Sequence, residues 1–544
     1  MLLILFSSIF IIPVLIGWGK IMENVSGILF QGISGKILSG ILGISLIWTL
    51  ISFFIPLNIY VEAVSIFVGL FFFFRNRLYG EFYQFSKKDF ILFSAATLII
   101  MLAGSYYPYI LDHFGYYIPT LQWLAEYGMV KGISNVDLTL GQMSVWHIFQ
   151  AGFSNFSDPF LRINAVLLII YTIYIIERKN WIHLCFLPVL LLFSQSPSPD
   201  LPVIIFSLII LNELTAGNRN TALLFAFSVF VFSIKPTMIW LPILVFLHSV
   251  FIFKNNFKPL LLGILILFLF FIKNIWTFGF PVFPVAIGDL GVSWKPNPEV
   301  LKISSQFAIM KTYDMQYTYE EIQKFSTSDY IKNWLFLAGI KSKINILFIL
   351  SLAVFSVFTW IKKRKLITLI CISLLIKGIL VLAFSAQYRF FIDIFFVIFF
   401  VLFHEYFNQK KSMIVFSVLS LFFISMLSFP ALIQKYIPSF RVGSFMTGFE
   451  KEQLYKPSTY EYRQFNIFKI GNFKFNVSHN YPYSFDTPLP AVTPFYIFDD
   501  VKAGIFPQLS DKNDLKKGFI WKKMTPEEKK EALKVINNIK NTDK

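Results

Sequence analysis

Long apolar runs broken by short polar clusters organise this sequence, and about 20 mostly apolar residues are needed to carry a helix across a bilayer. Fourteen segments are candidates, near 1–18, 37–56, 58–74, 90–107, 160–176, 181–194, 201–214, 221–234, 238–253, 259–276, 344–361, 366–385, 390–406 and 412–430. Several are short, so the pattern predicts about 12–14 transmembrane helices in an all-α polytopic membrane protein. The first run has the length of a signal peptide. It lacks a basic leading region and a small-x-small site before Lys20, so it reads as a retained anchor.

Composition agrees with the pattern. Of 544 residues, 56% are hydrophobic and only 15% charged, which excludes an ordinary soluble domain. The balance of 48 Lys+Arg against 31 Asp+Glu gives a net charge of +17. Its placement follows alternate connections: Lys20 and Lys36; Arg75, Arg77, Lys87 and Lys88; Arg178 and Lys179; Arg219; Lys254 and Lys258; Lys362, Lys363, Arg364 and Lys365; Lys410 and Lys411. Short loops rich in Lys and Arg stay cytoplasmic, so the excess is a topology signal and no nucleic-acid partner is expected. Cys185 and Cys371 both lie inside apolar runs, and the six histidines show no HExxH spacing, so no zinc site is predicted.

On the opposite, non-cytoplasmic side fall a loop at 108–159, short turns at 195–200, 235–238 and 386–389, the long loop 277–343 and the tail. Ionisable residues at span ends are functional candidates, because burying them in lipid is expensive. Asp112, Asp200, Lys235, Lys273 and Arg389 stand out. Asp112 opens a stretch whose Tyr116, Tyr117, Leu121, Trp123 and Leu124 read as an interfacial helix, with Asp112 as its cap or as a free carboxylate. Asp137 is the natural second carboxylate, or a turn residue. Asp200 either caps the following span or joins the site, and Lys235 either snorkels to the interface or binds an anion. Arg389 carries the donor fork suited to a phosphate. Carboxylates and cations on one face suit an anionic substrate with proton transfer.

At these residues the sequence resembles the GT-C superfamily of integral-membrane glycosyltransferases. The resemblance rests on Asp112 followed by Tyr116, Tyr117 and Pro119 in the first outer loop; on Ser196-Pro-Ser-Pro-Asp200 at a span entrance; on Lys235 after the next span; on Lys273-Asn274 with Thr277, Gly279, Pro281 and Pro284; and on Tyr388-Arg389. It covers roughly residues 104–400. Four departures are visible: Tyr117 stands where many relatives have His, the Ser196-to-Asp200 element has one extra residue of spacing, Phe280 replaces the usual Asn, and about four spans precede the catalytic loop where most members have one. The resemblance implies a polyprenyl-phosphate sugar donor, an inverting transfer, and a first-loop Asp that acts as base or metal ligand. On that basis Asp112 and Asp137 are the expected catalytic carboxylates. His113, Tyr116, Tyr117, Asp200, Lys235, Lys273, Asn274, Tyr388 and Arg389 are expected to bind substrate. No cofactor is required, although an oxygen-ligated Mg²⁺ or Mn²⁺ would suit carboxylates.

Three regions follow: N-terminal transmembrane helices over 1–103, a GT-C-like core over 104–430 with outer loops 108–159 and 277–343, and a non-cytoplasmic domain over 431–544. In the last, FNIFKIGNFKFNVSHNYPYSF predicts short strands, DTPLPAVTPFYIFDD reads as turn-rich, and Thr525-Pro526-Glu527-Glu528 predicts a capped helix start. These add up to a small α+β domain that covers the cleft, binds acceptor or serves as a tether. The expected activity is sugar transfer from a polyprenyl-phosphate-linked sugar to a glycan, lipid or protein acceptor of the cell envelope, at the periplasmic or extracellular face of a bacterial inner membrane. The alternatives are an O-antigen-type polymerase and a flippase or transporter of lipid-linked oligosaccharide.

Overall fold

The computed structural model describes residues 1–255, 260–436 and 448–542. The body begins with α1 (Leu2–Ser26), α2 (Ile33–Ser52), α3 (Ile59–Arg75) and α4 (Lys87–Ser105). The first outer loop contributes α5 (Ile118–Glu126) and α6 (Val145–Ala151), and the chain returns through α7 (Ile163–Arg178), α8 (Ile182–Leu190), α9 (Asp200–Thr215), α10 (Thr221–Ile234), α11 (Trp240–Phe251) and α12 (Leu261–Phe278). The second outer loop is itself helical, with α13 (Pro298–Thr312), α14 (Tyr319–Ile322) and α15 (Thr327–Leu335) ahead of α16 (Ile340–Lys362), α17 (Lys365–Phe384), α18 (Ile392–Phe403), α19 (Gln409–Ser428) and α20 (Pro430–Tyr436).

All fourteen apolar segments are helical. Among the described residues seven helices, α1, α2, α4, α12, α16, α17 and α19, are long and apolar enough to cross a membrane. An eighth appears if α3 and the bent segment after it count as one. By length and composition this is a multi-pass membrane protein. The rest, α7 to α11 and α18, are at most 16 residues long. At 1.5 Å per residue the longest reaches about 24 Å, short of a hydrocarbon core of about 30 Å. Every residue from Ile163 to Ile176 in α7 and from Leu201 to Leu214 in α9 is buried. Protein surrounds these helices on every side, as suits a surface that is apolar all round.

Charge-rich connections gather at one end. The Glu177 carboxylate accepts the amides of Ile33 (2.6 Å) and Ser34 (3.0 Å), Asn218 and Asn220 donate to Leu29 and Ile28, and Lys36 pairs with Glu81. Lys258, expected on this side, lies outside the described residues. The connections poor in Lys and Arg lie at the other end, where Glu62 in the first turn of α3 accepts the amides of Asn155, Phe156 and Ser157.

On that outer end sits the C-terminal domain. The strands β1 (Phe465–Ile470) and β2 (Phe473–Ser478) form an antiparallel hairpin, as the alternation predicts. A second hairpin pairs β3 (Ile505–Leu509) with β4 (Phe519–Lys523). The turn-rich reading of DTPLPAVTPFYIFDD is corrected in its second half, which forms α21 (Pro494–Lys502) with Pro494 in the first turn. The last helix, α22 (Pro526–Thr542), begins with the expected cap: the Thr525 amide donates to Glu528 and the Glu528 amide donates to Thr525 Oγ1.

The boundary at 431 divides the sequence but not the core. Trp123, Val130, Ile133, Val136 and Leu140 of the first outer loop share one hydrophobic cluster with Ile470, Phe473, Phe475, Val492 and Phe519. The interfacial reading of α5 is corrected by the same fact. Tyr116, Tyr117, Leu121, Trp123 and Leu124 are buried in protein: Leu121 and Leu124 pack into the core of the helical body, and Trp123 packs against the C-terminal domain.

Candidate functional site

Four of the five charged candidates meet at the outer end, each delivered by a break in helical structure. Asp112 precedes a π-turn over His113–Tyr117 that leads into α5, and single π-turns often mark functional positions. No side-chain capping bond forms there, so Asp112 is not a helix cap. Asp200 occupies the first turn of α9, where the helix dipole favours a carboxylate. Lys235 ends α10 in extended conformation (φ −147°, ψ 111°), as a residue before proline must, and this swings its ammonium off the helix. Arg389 is the middle residue of the one-turn link Tyr388–Phe390 between α17 and α18.

Their side chains form two ion pairs, chained together through the backbone of Arg389. Arg389 Nη1 donates to Asp112 Oδ2 at 2.8 Å. Lys235 pairs with Asp200, and its Nζ also donates to the carbonyl of Arg389 at 3.1 Å. Lys235 therefore joins the site and does not snorkel away. Both cations lie over the Phe390 ring, Lys235 at 5.3 Å and Arg389 at 5.4 Å from its centroid, which sets an ammonium and a guanidinium side by side. The Asp112–Arg389 pair is open, with side chains 29% and 35% exposed. Arg389 Nε is nevertheless buried and has no hydrogen-bond partner among the described residues. Two adjacent cations, each paired with a carboxylate, thus share one aromatic floor.

The expected aromatic neighbours are present. Tyr116 and Tyr117 pack edge to face at 4.6 Å, and Tyr117 reaches Ser198 Oγ at 3.5 Å. Burial, with Asp112 adding to it, pushes the Tyr116 phenol above its ordinary range, so it stays a neutral hydroxyl. His113 Nδ1 meets Ser196 Oγ at 2.9 Å, and burial holds this imidazole neutral. Tyr388 is exposed, with the Lys341 ammonium 5.6 Å from its ring centre. From the C-terminal domain Phe485 packs on Phe114 at 4.8 Å, which brings the segment around Tyr483 over the π-turn.

Three expected site residues do not join this chain. Asp137 is buried, accepts the Thr139 amide at 2.9 Å and receives the Thr493 hydroxyl at 3.1 Å. It fastens the first outer loop to the C-terminal domain. Burial pushes its carboxyl up to about 6, against the pull of these hydrogen bonds. Lys273 is sealed and donates to the carbonyl of Met143, while Asn274 closes the turn after α12 by donating to the carbonyl of Pro281 at 2.7 Å. Of the two lysines that could accompany Arg389, Lys235 is the one the fold supplies.

Sequence reasoning missed Phe390, whose only signal was its place beside Tyr388-Arg389. Lys377, a charge inside the apolar run of α17, has its partner on α18. Lys377 Nζ lies 2.5 Å from Asp393, and Trp240 Nε1 donates to the other oxygen of that carboxylate at 3.0 Å. Asp112 and Asp200 are each turned to a cation, and among the described residues no three carboxylate, imidazole or thiol groups converge.

Residues 1–396 match a family model described as a domain of unknown function (DUF8201). No curated protein and no solved structure matches the chain.

Proposed function

The chain belongs to the DUF8201 family, and we propose that it is a membrane glycosyltransferase. It moves a sugar from a polyprenyl-phosphate donor to a cell-envelope acceptor at the end of the molecule that carries the C-terminal domain. One observation carries this reading: Arg389 and Lys235 stand side by side on Phe390 with Asp112 in contact, at the outer ends of α17, α18 and α10. A lipid phosphate reaches this depth while its chain stays among the helices.

In the reaction proposed, the acceptor hydroxyl oxygen attacks the anomeric carbon from the face opposite the phosphate. A new carbon–oxygen bond forms as the bond to the phosphate oxygen breaks, and that electron pair stays on the phosphate. The hydroxyl proton passes to the Asp112 carboxylate, and Arg389 and Lys235 balance the charge that develops on the leaving phosphate. Tyr116 and Tyr117 line the approach, and the C-terminal domain over the π-turn supplies part of the acceptor surface.

Transfer from a radiolabelled polyprenyl-phosphate sugar pool, in membranes with matched levels of wild type and Asp112→Asn, tests the reading. The expected loss is about 10²- to 10⁴-fold, the usual contribution of a positioned base. Unchanged transfer in the variant overturns the role of Asp112. Absence of protein-dependent transfer from every donor offered overturns the transferase, in favour of a polymerase or flippase.

A further inference from the structure

A second site, sharing no residue with the first, lies where the C-terminal domain meets the rim of the helical body. A cavity of about 530 Å³ opens there among Phe53 at the end of α2, Trp276 near the end of α12, Lys131 of the first outer loop, and the 510–517 connection between β3 and β4. Its depth is set by the two helices. Both α2 and α12 are long and apolar enough to cross a membrane, and Phe53 and Trp276 stand at the ends that carry the C-terminal domain. Leu50, Phe54 and Ile55, in the same stretch of chain as Phe53, are exposed apolar side chains. An indole at the end of a span belongs to the interface between hydrocarbon and water, so the cavity sits at the level of lipid head groups.

The cavity holds two charges without a counter-ion. Lys131 lies over two indole rings, 5.4 Å from the centroid of Trp276 and 4.1 Å from that of Trp294. Both rings are fixed, because Trp276 Nε1 donates to the Met129 carbonyl at 3.0 Å and Trp294 Nε1 to the Ile275 carbonyl at 2.8 Å. Among the described residues the Lys131 ammonium has no carboxylate within ion-pairing distance, so its three N–H donors are left for a ligand. The other two lysines of the cavity are engaged, Lys517 with Asp511 at 2.7 Å and Lys516 with the carbonyl of Phe54. Asp514 is the converse of Lys131. Its Oδ1 accepts the Lys516 amide at 2.9 Å, and among the described residues no cation lies within ion-pairing distance of its carboxylate.

A cation and a carboxylate that line one cavity without meeting each other are complementary to a zwitterion. At head-group depth that zwitterion is a phosphate joined by a short link to a primary ammonium. We propose that the cavity holds a lipid with a phosphoethanolamine head group, from the leaflet next to the C-terminal domain, with its phosphate on Lys131 and its ammonium on Asp514. The acyl chains leave past Phe53 and Phe54 along α2. Lys131 belongs to the first outer loop and Asp514 to the C-terminal domain, so the lipid fastens one to the other at the membrane rim.

The test titrates the purified full-length protein in detergent with dioleoyl lipids that differ only in head group, and reads the first bound lipid by native mass spectrometry. Phosphatidylethanolamine is expected to bind about three- to tenfold more tightly than phosphatidylglycerol, which has no ammonium, or phosphatidylcholine, which has no N–H to donate; this is the range for partly exposed, charge-assisted contacts. Lys131→Met keeps the stem over the rings and is expected to weaken phosphatidylethanolamine binding by about the same factor. Asp514→Asn still accepts the Lys516 amide through its side-chain carbonyl, and is expected to bind the ethanolamine and glycerol lipids alike. Equal binding of all three lipids by the wild type, or binding unchanged by Lys131→Met, overturns the proposal. A preference for phosphatidylethanolamine that survives Asp514→Asn overturns it too, as does tighter binding of phosphatidylglycerol by the wild type, the mark of a plain anion site. Glycerophosphoethanolamine, the same head group without chains, separates the sources: if it binds as tightly as the lipid, a soluble ligand and not a lipid is the occupant. None of these outcomes involves Asp112 or Arg389, so the transferase reading stands or falls separately.

Discussion

Two ion pairs occupy neighbouring levels of the same corner of this molecule: α17 and α18 supply both partners of one, and the turn between them supplies Arg389 to the other. Lys377–Asp393 is sealed, with side chains 1% and 4% exposed, and both carboxylate oxygens have partners, Lys377 and Trp240. Arg389–Asp112 is about one-third exposed, shares its aromatic floor with a second cation, and leaves a buried donor unused. The sealed pair has nothing left to offer a ligand. The open one has charge, access and an unfilled hydrogen bond, so charge alone does not mark a site in an apolar body; unsatisfied charge within reach of solvent does.

The largest effect expected from this contrast lies with the sealed pair. Lys377→Met strands the Asp393 carboxylate in the interior and should cost about 3–5 kcal/mol. The double variant Lys377→Met with Asp393→Leu should recover most of that loss, because well-packed apolar side chains replace a buried pair at little net cost. Thermal unfolding in detergent reads both, and a single variant as stable as the double would break the distinction between the two pairs.

A third carboxylate sharpens the comparison, because Asp137 is buried with hydroxyl and amide partners but no cation. Asp137 and Asp499 are both pushed up to about 6, chiefly by burial, and Asp500 is raised further by burial and by Asp499 and Asp137. The folded state therefore holds protons that the unfolded chain releases. Its stability is fully present below the ordinary carboxylate range and is lost as pH rises through about 6. For Asp137 the change is about 3 kcal/mol at most. Protection of the β1 and β2 amides, taken relative to the intrinsic exchange rate at each pH, should fall between about pH 4 and pH 7, and Asp137→Asn should flatten that slope. A flat wild-type profile would show that the latch does not titrate.

The smallest effect sets the scale for a purely local contact. Thr525→Ala removes the cap of α22 and should destabilise the C-terminal domain by about 1 kcal/mol, read as faster amide exchange in that helix. Lipid binding at Arg389 should not change, and a change there would couple the domain to the site more tightly than their shared core suggests.

Much of this was legible in the chain. The fourteen apolar runs became helices because a backbone without water must satisfy its hydrogen bonds within its own segment. The FNIF…FKFNVS alternation became β1 and β2, and the Thr525 box became a helix start. Their signals are spaced within a few residues. Asp112, Lys235 and Arg389 stood out because ions at the ends of apolar runs are costly without a purpose. The rest was hidden for physical reasons. A helix packed on protein and one facing lipid look equally apolar, so nothing local shows that protein covers α7 and α9 on every side. Lys235 and Lys273 both follow an apolar run ahead of an aromatic- and proline-rich turn, and nothing local shows that one meets Asp200 and the other the Met143 carbonyl.

By itself, then, the sequence determined what is local: helical segments, the grouping of basic connections at one end, a capped final helix, and a short roster of ions with reason to be noticed. The tertiary structure alone decided which of those ions meet. Asp112 and Arg389 are 277 residues apart, and Asp137 finds Thr493 across 356. A helix forms from bonds four residues apart, whereas a site of this kind exists only after distant segments have packed, when burial and spare hydrogen-bonding capacity first have values.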